Sequence, residues 1–209
     1  PSDNAELHEA RRRSIPVWHR SELLAALMNT KRGIAVAGAH GKTTTTAMIS
    51  LILERGGLDP TAVIGGELSQ FNGNARTGKS DLLVAEACES DHSFLRYHPY
   101  LALVTNIEAD HLEHYGGEFS RLVDGYRSFL NNVKEGGCTV LCNDDAYLQE
   151  IKKELHSRVL TYGLGSEADF CATAICPVGL GSTYKVIHGR RTLGEIKLNV
   201  PGLHNVLNS

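Results

Sequence analysis

Neither a long apolar run nor an excess of basic charge is present in this sequence of 209 residues, and both absences narrow what it can be. The longest apolar stretches, such as Leu101-Ala102-Leu103-Val104, are strand-length, far short of the roughly 20 residues that a membrane-spanning helix needs. A formal net charge of −3, with no aromatic ladder beside a basic stretch, argues against a nucleic-acid partner. The five cysteines (Cys88, Cys138, Cys142, Cys171, Cys176) form no Cys-x-x-Cys pair and are odd in number. That pattern points to reduced thiols in a cytoplasmic setting, not to a disulfide framework, and Cys138, Cys142 and a histidine are too sparse a set to predict zinc. The opening Pro1-Ser2-Asp3-Asn4, followed by Arg11-Arg12-Arg13, does not read as a secretory leader. No internal repeat or low-complexity tract stands out. A hydrophobic content of 42% against 22% charged residues is that of a chain with one good-sized globular core.

What is present is a glycine loop in a telling context. The apolar run Gly33-Ile34-Ala35-Val36-Ala37 leads into Gly38-Ala39-His40-Gly41-Lys42-Thr43-Thr44-Thr45-Thr46, and then into the apolar-periodic Ala47 to Leu53. This order predicts a buried strand, a tight turn and a helix. Glycines let the backbone turn successive N–H groups toward an anion, the helix N-terminus adds partial positive charge, and Lys42 adds a full one. The Thr43 hydroxyl, next to the lysine, is placed to ligate a phosphate-bound Mg²⁺. Only Ala39 and His40 separate Gly38 from Gly41, where the full P-loop pattern has four residues; the strand–loop–helix context carries the prediction of a nucleoside triphosphate site.

The rest of the chain reads as an α/β domain. Residues 3–13 predict a helix capped by Asp3 or Asn4, Ile15-Pro16-Val17-Trp18 a short strand, and Arg20 to Asn29 a helix with Leu23, Leu24 and Leu27 on one face. Thr61 to Ile64 reads as extended and Gly65 to Gly78 as a polar loop. Leu82-Leu83-Val84-Ala85, Leu101 to Val104 and Cys138 to Cys142 read as strands, the first two apolar throughout as burial on both faces requires, with helices near 109–114, 118–132 and 145–155. Such alternation means a mostly parallel, doubly wound P-loop sheet. From Val159 onward, four short strands joined by glycine turns predict a small appended antiparallel β-sheet, and Pro201 to Asn208 starts a helix.

In doubly wound sheets ligands sit beyond the carboxyl ends of the strands. The phosphate loop, Glu86 and Asn106 all fall there. Glu86-Ala87-Cys88-Glu89-Ser90-Asp91 follows one buried strand and Thr105-Asn106-Ile107-Glu108-Ala109-Asp110-His111 the next. Mg²⁺ prefers hard oxygen ligands, so Thr43 with a strand-end carboxylate is a fitting pair, and Glu86 is preferred to Glu89 because it leaves the strand directly. From spacing alone His111 reads as a packed or capping histidine whose imidazole is also able to ligate a metal. Asp110 reads as a helix cap, Glu108 and Glu113 as solvated, and Cys88 as a small packed residue.

These stretches, together with Val63-Ile64-Gly65-Gly66, Asn74-Ala75-Arg76-x-Gly78, Tyr115-Gly116-Gly117 and Pro201-Gly202-Leu203-His204-Asn205-Val206-Leu207-Asn208, resemble the Mur ligase family of peptidoglycan synthesis in composition and order. The resemblance implies that a carboxylate is joined to an amine with cleavage of ATP to ADP and phosphate, through an acyl phosphate. It implies ATP and Mg²⁺ as cofactors, with Gly38, Ala39, His40, Gly41, Lys42, Thr43, Thr44 and Asn205 on the nucleotide. It implies Thr43 and Glu86 on one metal and His111 on a second, so that Lys42, Glu86 and His111 form the catalytic set. Asn74 and Arg76 are candidates for the sugar-nucleotide. Several relatives carry a carbamylated lysine; none is predicted here, since no lysine occurs between Lys79 and Lys134. His40 and Cys88 depart from commoner family residues.

Within the family, the run from Thr105 to His111 points to the branch whose small-molecule substrates are UDP-N-acetylmuramate and L-alanine. The alternative is the branch that reattaches recycled peptide, and outside the family a P-loop module that binds nucleotide without ligation. A folate-type ligase is disfavoured by Ala39-His40 and by Asn74-Ala75-Arg76. By this resemblance residues 1–30 are the tail of an N-terminal UDP-substrate domain, and residues 31–209 are the central ATP-binding domain, truncated at its C-terminal end. The expectation follows that the 209-residue chain does not ligate by itself.

Overall fold

The continuous apolar runs become the middle of one sheet. In the computed structural model, which describes residues 4–165 and 167–209, the strands are β1 (Arg32–Ala37), β2 (Thr61–Leu68), β3 (Gly73–Arg76), β4 (Leu82–Glu86), β5 (Leu101–Val104), β6 (Cys138–Cys142), β7 (Arg158–Gly163), β8 (Phe170–Val178), β9 (Gly181–His188) and β10 (Arg191–Leu198). They lie in the order β10-β9-β8-β7-β6-β5-β1-β4-β2-β3. From β7 to β2 every neighbour is parallel. Ala35, Val36 and Ala37, and likewise Leu83, Val84 and Ala85, are fully buried, as strands covered on both faces must be.

The predicted antiparallel part is present, but it continues the same sheet. β8 starts parallel to β7 at Tyr162↔Phe170, then pairs with β9, and β9 with β10, as antiparallel hairpins. β7, expected among the antiparallel strands, pairs in parallel with β6 along its length. The segment expected as a polar loop after Ile64 is a hairpin: β2 runs on to Leu68, and β3 returns antiparallel against it.

The helices are α1 (Ala5–Arg12), α2 (Arg20–Thr30), α3 (Lys42–Arg55), α4 (Phe119–Asn131), α5 (Ala146–Lys152) and α6 (Leu203–Asn208). Asn4 caps α1, its Oδ1 accepting from the N–H groups of Glu6 and Leu7; Asp3, the other expected cap, lies outside the described residues. The helix α2 turns Ala25 and Met28 into the core and leaves Leu23 and Leu27 exposed, so of the apolar stripe expected of Leu23, Leu24 and Leu27 only Leu24 packs, partly buried, against the core. Ile15 to Trp18 forms no strand. Pro16 removes a ladder donor, the sheet edges are β3 and β10, and Ile15, Val17 and Trp18 stay exposed. Near 109–114 the expected helix shrinks to a 3₁₀ turn over Leu112–Tyr115, since His111 at φ 54° and Gly116 and Gly117 at positive φ bracket it. The three largest fully buried side chains meet at α4, where Phe94 stacks on Phe129 at 5.2 Å and meets Tyr126 edge-on at 5.4 Å.

Candidate nucleotide and metal site

β1 has β5 on one side and β4 on the other, so three strand ends open onto one edge. They deliver the loop 38–41, Glu86, and Thr105 with Asn106. Gly38 and Gly41 take φ values of 134° and 87°, which a side chain would resist. At both positions a neighbour also fills the space: a Cβ on Gly38 would stand 2.0 Å from Thr105 Oγ1, and one on Gly41 would stand 2.3 Å from Asn208 Oδ1. Gly41 caps α3 without a side-chain hydrogen bond, so the first-turn N–H groups at Lys42, Thr43 and Thr44 have no side-chain acceptor at the cap.

Strand-end side chains brace this loop. The Thr105 hydroxyl donates to the His40 carbonyl at 2.6 Å, and the Asn106 carboxamide bonds both the His40 N–H (2.9 Å) and its carbonyl (3.0 Å). Ala39 N–H donates to the Asn106 carbonyl at 3.2 Å. Thr43 Oγ1 donates to Glu86 Oε2 at 3.2 Å, and Gly65 N–H donates to Glu86 Oε1 at 2.5 Å. Thr43 and Glu86 therefore present two hard oxygens at the mouth of the loop, a donor set suited to Mg²⁺.

Lys42 does not point freely outward. Its Nζ donates to the carbonyls of Gly38 (2.5 Å) and Ala39 (3.2 Å) and to both carboxylate oxygens of Glu89, at 2.9 and 3.0 Å. Glu89 is buried, and the Tyr115 hydroxyl donates to its backbone carbonyl at 2.6 Å. Burial first, and then the Glu89 charge, push the phenols of Tyr115 and Tyr126 upward, so both stay protonated; Tyr115 donates to Glu89, while the Tyr126 hydroxyl is buried without a hydrogen-bond partner among the described residues. Sequence reasoning set Glu89 aside in favour of Glu86; the two sit three residues apart and serve different partners, one Thr43 and one Lys42. The signal for Glu89 was the second acid of Glu-x-x-Glu after a buried strand.

The other sequence-predicted residues lie as follows. His111 is exposed, 3.7 Å from Asp110 and 3.5 Å from Glu113, and among the described residues no three His, Cys, Asp or Glu side chains gather as a metal cluster. Asp110 caps no helix; its Oδ1 accepts from the His111 N–H at 2.9 Å. Asn205 lies in α6, its Nδ2 on the Pro201 carbonyl at 2.6 Å, and its helix rests on the start of α3 through Asn208, whose carbonyl accepts from Thr45 Oγ1 at 3.2 Å. Asn208 escaped the sequence reading; only its fit against Gly41 reveals it. Arg76 pairs with Asp59 at 2.7 Å and Glu54 at 3.7 Å, beside the far end of α3, a helix about 20 Å long. Arg76 is thus brought to the opposite end of that helix from the phosphate loop, and Asn74 is exposed on β3.

Between the loop and α6 lies a cleft of about 490 Å³, lined by His40, Gly41, Asn106, Asp144, His204 and Asn208 among others. A second cavity of about 300 Å³ behind α6, walled by residues such as Met48, Ile49, Phe170 and Val206, contains no charged side chain and offers no phosphate chemistry. The polar cleft is the one continuous with the loop.

Comparison with known proteins places the chain in a family. Residues 36–209 match the Mur ligase middle domain. The chain is 49% identical over 214 aligned residues to the UDP-N-acetylmuramate–L-alanine ligase of Symbiobacterium thermophilum, covering 100% of this chain and 44% of that protein. The UDP-N-acetylmuramate-alanine ligase structure from Thermotoga maritima superposes with a TM-score of 0.84 at 28% identity, over 100% of this chain and 46% of that one. The UDP-N-acetylmuramate:L-alanyl-gamma-D-glutamyl-meso-diaminopimelate ligase from Neisseria meningitides shares the fold, with a TM-score of 0.83 at 24% identity over 97% of this chain and 66% of that one. The chain spans about half the length of the curated relatives it matches. Among the described residues no helix is long and apolar enough to cross a membrane.

Proposed function

The chain belongs to the Mur ligase family through its middle domain, and from that premise we propose that it is the ATP-binding part of a ligase joining L-alanine to the carboxylate of UDP-N-acetylmuramate. The observation that carries this reading is the meeting of Lys42, Thr43 and Glu86 around a glycine loop at the strand-end edge, in a chain half identical to proteins of that name. That identity supports the L-alanine-adding branch over the peptide-recycling one, to which the likeness is one of fold.

In this reading the loop amides and the N-terminus of α3 cradle the triphosphate, and Lys42 balances charge on the γ-phosphoryl oxygens as they move. The substrate carboxylate attacks the γ-phosphorus, ADP leaves, and the amine of L-alanine then displaces phosphate from the acyl phosphate to form the amide. Thr43 and Glu86 would hold Mg²⁺, whose charge, when bound, lessens repulsion between an anionic nucleophile and the triphosphate. His111 is the proposed ligand of a second metal; its present neighbours are Asp110 and Glu113, so no step is assigned to it. The cleft flanked by His204 and Asn208 takes the nucleoside, with Asn205 on the adjoining helix as the base-recognising residue. Asn74 and Arg76 are not assigned to the sugar-nucleotide, since Arg76 is engaged by Asp59 and Glu54. Residues 1–30 would link to a UDP-substrate domain, although Ala25 and Met28 already pack in the core formed with residues 31–209. The 209-residue chain alone then binds nucleotide without ligating. A cytoplasmic setting accords with five cysteines free of disulfides.

The test is calorimetry of MgATP binding to the chain and to Lys42→Ala and Glu86→Ala. Loss of binding in Lys42→Ala and loss of the Mg²⁺ dependence in Glu86→Ala are expected. Equal binding by all three would remove the loop as the nucleotide site.

A further inference from the structure

The four acceptors around Lys42 outnumber its three N–H donors, so while these contacts stand the ammonium has no donor left for a phosphate. Two of those acceptors are loop carbonyls that any phosphate loop would offer. The other two belong to Glu89, which is 2% exposed and whose single ion-pair partner among the described residues is Lys42. Tyr115 fixes the backbone of Glu89, and Phe94 N–H and Ser93 Oγ fix the carbonyl of Cys88 just before it, so the carboxylate stands on a braced turn. Buried ion pairs of this kind lose heavily when one partner leaves, because the other charge is stranded away from water.

We propose that Glu89 is a positioning residue that holds Lys42 drawn back across the floor of the phosphate loop, so that incoming nucleotide must take the lysine from it. This rests on the nucleotide reading above. Glu86 and Glu89 then divide the work: the exposed-side carboxylate meets Thr43 at the mouth, and the buried one sets the starting position of the cation. The intrinsic attraction of the loop for anions is muted until a ligand with enough charge competes for Lys42. A ligand bearing few phosphate oxygens gains little from the loop, whereas a full polyphosphate displaces the carboxylate.

The experiment measures binding of Mg²⁺-free ADP to the chain and to Lys42→Ala, Glu89→Gln and Glu89→Asp, at one pH and one salt concentration, with circular dichroism and thermal unfolding as the check on folding. Glu89→Gln keeps the shape and removes the charge. Glu89→Asp keeps the charge and withdraws the carboxylate by one methylene. Both are expected to bind ADP about five- to tenfold more tightly than the parent. Tightening in Gln alone would mean plain repulsion between Glu89 and phosphate, and would overturn the latch. So would unchanged or weaker binding by both folded variants, or failure of both to fold, which would make Glu89 a structural residue. Failure of the nucleotide reading itself shows separately, as Lys42→Ala binding ADP like the parent or the parent not binding at all, and it takes the latch down with it.

Discussion

Asn106 grips the backbone of His40 from both sides, its Oδ1 accepting from the His40 N–H at 2.9 Å and its Nδ2 donating to the His40 carbonyl at 3.0 Å. A residue at the end of β5 thereby fixes the apex of a loop that follows β1, and the phosphate-binding amides inherit the rigidity of the sheet. Thr105 adds a third bond at the same carbonyl.

Asn106→Ala removes both contacts while leaving the Thr105 bond. Two net hydrogen bonds are worth about 1–3 kcal/mol, most of it spent on ordering the loop. The expected outcome is about tenfold weaker MgATP binding by calorimetry, with a small change in thermal midpoint. Unaltered affinity would show that Thr105 alone suffices.

Gly41→Ala tests the contact between loop and terminal helix. The new Cβ has to tolerate φ 87° and would sit 2.3 Å from Asn208 Oδ1, so α6 must shift. Gly57→Ala is the matched control, since φ there is 76° and nothing lies within 4 Å. Backbone strain of roughly 1–2 kcal/mol is common to both. Urea unfolding should place Gly41→Ala clearly below Gly57→Ala, and equal midpoints would mean that Asn208 does not press on the loop.

The parallel core and the loop were legible in the sequence because burial on both faces leaves apolar runs, and because glycine, lysine and threonine have few other reasons to stand in that order. The chain after Gly65 was not: alternating glycine and polar residues fit a loop as well as an exposed hairpin, and only pairing of Ala62 with Arg76 decides. The face of α2 departs from the leucine spacing because Ala25 and Met28 are the buried residues, Met28 lying against Gly33 of β1 where there is no side chain to exclude it. Glu89 and Asn208 act through tertiary contacts with Lys42 and Gly41; the Glu-x-x-Glu pattern marks Glu89 as an acid at the strand end, but nothing beside either residue in sequence names its partner. Arg76 carries the reverse lesson. A polar arginine beside glycines suggests a ligand, yet Asp59 and Glu54 answer its charge.

Acid should loosen the junction between the parallel and antiparallel parts of the sheet. Asp169 stands just before β8, its Oδ2 accepting from Thr161 N–H at 2.8 Å and from Thr161 Oγ1 at 2.9 Å, while its own N–H donates to that hydroxyl oxygen at 3.0 Å. The Thr161 N–H, foremost, with help from the hydroxyl, holds the carboxyl below the usual aspartate range against an opposing push from burial. A carboxyl lowered in the folded state binds its proton more readily when unfolded, so its stabilisation is complete above the unfolded value near pH 4 and fades as pH falls through the folded one. Asp169→Asn lacks that titration. The stability difference between parent and variant in urea should therefore be constant from pH 7 to about 5 and shrink as pH falls below about 4. Other depressed carboxyls, among them Asp59 and Glu22, add their own acid sensitivity to both proteins and cancel in the difference. Parallel pH profiles would mean that the Thr161 bonds do not favour the charged form, and that β7 and β8 are joined by their ladder alone.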